Sequence, residues 1–114
     1  GQRLPFARAV EADGWLHVSG QVAMENGEII SGGIIEQTHK TIANLLAILD
    51  EAGYGVEHVV RCGVWIDDPR DFWSFNKVYQ SYFGDHPPAR ACVQASMMVD
   101  CKVEIDCMAY KPKS

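Results

Sequence analysis

Two stretches near the C-terminal end carry the side chains best suited to chemistry. Residues 89–96 set Arg90 and Cys92 at alternate positions, and residues 102–110 do the same with Glu104 and Asp106. Alternate positions on a strand share a face. If the two stretches pair as an antiparallel hairpin, Arg90 and Glu104 project from one face of adjacent strands. A guanidinium so placed can clamp a carboxylate bidentately, while an acidic group moves a proton or holds a water. The same spacing also suits a cross-strand salt bridge worth at most about 1 kcal/mol, and spacing alone favours that plainer reading.

Other chemistry-bearing residues are weaker. His17 and Ser19 share a strand face, yet alternating neighbours lie too far apart for a good nucleophile–base contact and no acid partner is evident. Cys92 has only Arg90 nearby to favour a thiolate. Cys62, Cys101 and Cys107 read as small core residues, and no Cys or His pair has zinc-ligand spacing. Ser31-Gly32-Gly33 resembles half a phosphate cradle but lacks the lysine-bearing pattern, so it reads as a loop and helix start. Of the remaining histidines only His86, beside Pro87, stands near the Arg90 stretch.

The elements that must position these residues follow from periodicity. Residues 5–10 and 15–22 read as strands joined by an Ala12-Asp13-Gly14 turn. Asn26-Gly27 suits a type I′ turn into a short strand over 28–30. Ile34, Ile35, Thr38, Ile42, Leu45, Leu46 and Leu49 recur at helical spacing, with Gly53 as terminator. Residues 59–67 form a strand, and Asp68-Pro69 opens a helix over 70–83 whose buried face is Phe72, Phe75, Tyr79 and Phe83. Pro87-Pro88 forces an extended entry into 89–96. The order is β-β-β-α-β-α-β-β, an α+β fold with both helices on one face of the sheet.

The small apolar sides of the strands are expected to seat the helices: Leu16 and Val18, Ala89, Ala91 and Val93, Val103 and Ile105. The other face then carries Trp15, His17, Ser19, Arg90, Cys92 and Glu104, with Trp65. That mixture is too aromatic for a solvated face and too polar for a core, which points to a homo-oligomer that covers it.

Composition narrows the classes further. The chain has 114 residues, 47% hydrophobic and 22% charged, so one domain over residues 1–114 is expected. Net charge is −5 without a basic run, against a nucleic-acid partner. No apolar run approaches the roughly 20 residues that span a bilayer, and no signal-like stretch is seen. Free thiols and no signal lead to an expectation of a cytoplasmic protein.

Pro88-Ala89-Arg90-Ala91-Cys92-Val93 with Lys102-Val103-Glu104-Ile105-Asp106 resembles the C-terminal signature of the reactive intermediate deaminase family (RidA/YjgF). Pro5-Phe6, Val18-Ser19-Gly20-Gln21, and Asp71-Phe72 through Asn76 to Tyr79 resemble its other segments in the same order. The resemblance implies a chorismate-mutase-like subunit in a homotrimer, with the sheets forming a central barrel and sites in the clefts between subunits. It implies hydrolysis of imines and enamines of 2-amino acids to 2-keto acids and ammonia, with no metal or cofactor. Arg90 would bind the substrate carboxylate and Glu104 would hold the attacking water. Backbone groups around Cys92 would contact the substrate, and Ser19 and Asn76 would line the pocket. Phe6 stands where well-known members carry Tyr, so its ring can wall the pocket without supplying a hydroxyl. A non-catalytic trimer that binds 2-keto acids in the same clefts is the alternative.

Overall fold

The computed structural model describes residues 4–112. Its main sheet has five strands: β1 (Ala9–Ala12), β2 (Trp15–Gln21), β5 (Val59–Ile66), β6 (Ala89–Gln94) and β7 (Val103–Tyr110). They lie in the order β1-β2-β7-β5-β6, antiparallel throughout except for the parallel pair β5–β6. A separate two-stranded ribbon joins β3 (Met24–Glu25) and β4 (Glu28–Ile29). Helices α1 (Ile34–Glu51) and α2 (Phe72–Phe83) cover one face of the main sheet.

Local sequence accounts for most boundaries. Asp13 and Gly14 both take positive φ, 52° and 86°, making the tight primed turn between β1 and β2. Asn26 and Gly27 do the same at 53° and 82° between β3 and β4. Asp68 accepts from the Arg70 amide at 2.9 Å and precedes Pro69 at the start of a short 3-10 turn (Pro69–Asp71) that feeds α2. The second helix therefore begins at Phe72, slightly later than its apolar spacing suggests. The first strand also starts later than expected, at Ala9 rather than residue 5, and Leu4–Pro5–Phe6 runs as irregular, exposed chain.

The core lies between the helices and the sheet. Ile42, Leu45 and Leu49 of α1 and Phe75 and Phe83 of α2 pack on Leu16, Cys62, Val64, Val103 and Ile105. Ile35, expected on the buried stripe of α1, faces solvent instead. Cys62, Cys101 and Cys107 are buried as expected, and burial holds the Cys62 thiol up at about 11.

Strand alternation assigns the faces of β2 and β7 correctly but inverts β6. The last two strands do not form a hairpin, because β5 lies between them: Arg90 registers with Cys62, which registers with Cys107. Cys62 and Cys107 are buried beneath the helices, so Arg90 and Cys92 point to the helix side. Ala89, Ala91 and Val93 face the bare side with Trp65, Glu104 and Asp106. Alternation shows which residues share a face; only the neighbouring strand decides which face is covered.

Candidate active site

One half of the expected site is built where α2 overlies the edge strand β6. Phe72, Phe75, Asn76 and Tyr79 recur at three and four residues along one side of α2, the spacing at which helical side chains meet. The proline pair delivers Arg90 beneath them. Its guanidinium carbon lies 4.8 Å from the Tyr79 ring centroid, 5.6 Å from Phe75 and 5.8 Å from Phe72. Its Nη1 donates to Asn76 Oδ1 at 2.8 Å. A guanidinium has five N–H donors, and among the described residues no carboxylate pairs with this one. Among the described residues the cation is held by rings and one neutral acceptor, which leaves its other donors available to an outside anion.

Two hollows lie along this side of α2, and Arg90 lines the first of them. Asn76, Tyr79, Pro87 and Arg90 line one of about 430 Å³. Phe72, Cys92 and Gln94 line a smaller one of about 240 Å³. Burial raises the Cys92 thiol above its usual range, and the charge of Arg90 only partly offsets this. Cys92 is therefore a neutral wall at neutral pH and offers no thiolate.

The other half lies across the sheet. Glu104 projects from the bare face of β7, registered with Trp65, beside the irregular register of β2 between Val18 and Gln21. A Cβ at Gly20 would run into the Glu104 carboxylate, so the glycine is what admits this side chain. Partial burial, then the nearby charge of Asp106, raises the Glu104 carboxyl above its ordinary 4.5. Asp106 itself accepts from the Gly63 amide at 3.0 Å.

Ser19 is already engaged: its hydroxyl donates to the Ala7 carbonyl at 2.5 Å, and its amide donates to Arg8 at 2.9 Å. It clips the segment that carries Phe6, whose ring is 60% exposed. This also removes the hydroxyl from any pairing with His17.

The structure thus brings Arg90, Asn76 and Cys92 together on the helix side at one edge, and sets Glu104, Ser19 and Phe6 elsewhere. Arg90 and Glu104 leave opposite faces of one sheet, three positions apart along β5, where their partners are Cys62 and Trp65. The expectation of a shared face within one chain is corrected. Their spacing marks Phe72, Phe75 and Tyr79 as a buried helix face, and their enclosure of Arg90 was missed. The one available signal was that Arg90 follows so aromatic a helix.

Comparison with known proteins decides the family. The family model described as Endoribonuclease L-PSP matches residues 2–111. The chain belongs to this family, the RidA/YjgF family. A RutC family protein from Pyrococcus horikoshii is 38% identical over 94% of this chain and 87% of its own length. The mouse 2-iminobutanoate/2-iminopropanoate deaminase is 35% identical over 94% of this chain and 82% of its own. Among solved structures, E. coli TdcF with bound serine superposes with a TM-score of 0.88 at 31% identity, covering 97% of this chain and 91% of that one. RidA/YjgF neighbours thus share the arrangement of two helices on a mostly antiparallel sheet.

Proposed function

We propose that this protein hydrolyses imine and enamine intermediates of 2-amino acids to 2-keto acids and ammonia, at sites completed between copies in a homotrimer. The observation that carries the reading is Arg90: a caged guanidinium that pairs with no carboxylate among the described residues and opens on a hollow. The 35% identity to the mouse deaminase supports the reaction class. The bare face supports assembly: Trp65, Ala91, Val93 and Met108 line a concavity of about 410 Å³ that a second copy would cover.

Because Arg90 and Glu104 leave opposite faces, a pocket containing both takes Arg90 from one copy and Glu104 from the next. The substrate carboxylate sits on the free donors of Arg90, with backbone groups at Cys92 beside it and Phe6 as a wall. Glu104 accepts a proton from water as the water oxygen bonds to C2, and the C=N π pair moves to nitrogen. The carbinolamine nitrogen takes up a proton. The hydroxyl oxygen then re-forms C=O, its proton is lost, and ammonia leaves. An iminium ion and one water thereby become a 2-keto acid and ammonium. The barrier reduction needed is modest, and orientation with one acid–base group can supply it.

The test generates imines with an amino-acid oxidase beside the protein and measures 2-keto-acid release. Acceleration over buffer is expected, and no acceleration across small and branched imino acids contradicts the reading. A second reading, a trimer that binds 2-keto acids without turnover, draws support from Phe6 in place of a hydroxyl-bearing Tyr. It predicts calorimetric binding with no catalysis.

A further inference from the structure

Trp73 is 77% exposed on α2, an unusual place for an indole. Its ring stands edge-on to Phe72, with centroids 5.3 Å apart and planes at 72°. It precedes Asn76, the Arg90 partner, by three residues, so the two share a ridge of the helix. Among the described residues Trp73 is the one that lines both hollows, so the indole stands between the Arg90 side and the Cys92 side.

We infer that Trp73 sets the preference for the substrate side chain, selecting imino acids with bulky apolar or aromatic groups over the three-carbon one. This deepens the deaminase reading and rests on it. A carboxylate on Arg90, with its C2 directed toward the Cys92 backbone, must lie across the indole. The group attached at C2 then meets the ring. An indole offers a large flat apolar surface and no acceptor, so it rewards branched aliphatic and aromatic groups and gives a methyl group little.

The test compares the wild-type protein with Trp73→Ala and Trp73→Phe, using imines generated by oxidases from leucine, phenylalanine and alanine. Trp73→Ala is expected to lower kcat/KM about tenfold for the first two and less than about twofold for the third, with Trp73→Phe retaining most of the preference. Equal losses for all three, or no loss, overturns the inference. If wild-type protein accelerates none of them, the deaminase reading fails. The selectivity is then judged by calorimetry with pyruvate, 4-methyl-2-oxopentanoate and phenylpyruvate: tighter binding of the larger two that Trp73→Ala abolishes supports it, and equal affinities refute it. Sedimentation accompanies both arms. A Trp73→Ala protein that loses the wild-type oligomeric state assigns the indole to the contact between copies and overturns the inference.

Discussion

The surroundings of Arg90 and Glu104 differ, and the difference is what the proposed site between copies rests on. Arg90 lies under α2, fixed by three rings and the Asn76 side chain, so its direction is set within one chain. Glu104 stands on the uncovered face, admitted by Gly20 and repelled by Asp106, with its carboxyl raised by partial burial. The arginine region is finished in the protomer and offers donors. The glutamate region lies on an uncovered face that mixes aromatic and charged residues, Trp65, Glu104 and Asp106 among them. Because the two leave opposite faces of one sheet, the proposed reading joins them only between copies.

Removing the anchor gives the largest effect. Arg90→Ala is expected to cut kcat/KM for imine hydrolysis by at least about 100-fold, the loss of two charge-assisted hydrogen bonds. Its oligomeric state by sedimentation should be unchanged, because Arg90 faces the helices; dissociation would place Arg90 in the contact between copies. Glu104→Gln comes next, with a loss of about 100-fold in kcat. Binding of 2-keto acids, followed by calorimetry, should be spared, and full activity would refute the role of the carboxylate.

Smaller changes sharpen the contrast. In Gly20→Ala the added methyl displaces the flexible end of Glu104, so kcat should fall about tenfold with little change in melting temperature. The same displacement leaves keto-acid binding at Arg90 intact, and a parallel loss of binding would show that the two regions are not separable. Asp106→Asn tests the tuning. Burial and then the Asp106 charge both disfavour the Glu104 anion, so the acid limb of kcat/KM lies above 4.5 and activity falls as pH drops through it. Removing the smaller cause favours the anion and moves that limb to lower pH. A limb that stays still or moves upward contradicts the assignment.

Much of this fold was legible because local chemistry and periodicity agreed. The Asp13-Gly14 and Asn26-Gly27 turns, the Gly53 terminus of α1 and the Phe75–Tyr79–Phe83 face of α2 all lie where residue type requires them. The inverted face of β6 was not legible, since Ala89, Ala91 and Val93 suit either a helix-covered core or a contact between copies equally well. Nor could alternation show that β5 would separate β6 from β7, because strand order is decided by long-range packing. The candidate site residues were nameable one by one through resemblance, while their division between two faces of the sheet depends on strand order. Ser19 shows the limit most clearly: its spacing from His17 says nothing of the Ala7 carbonyl that takes its hydroxyl.

The central claim is that Arg90 of one copy works with Glu104 of the next. Arg90→Ala and Glu104→Gln proteins, each inactive alone, can be dissociated, mixed in equal amounts and reassembled before assay. Shared sites predict recovery of about a quarter of wild-type activity, since random mixing joins an intact Arg90 to an intact Glu104 across one contact in four. No recovery, with hybrid assembly confirmed by mass, would mean that both groups act within a single chain.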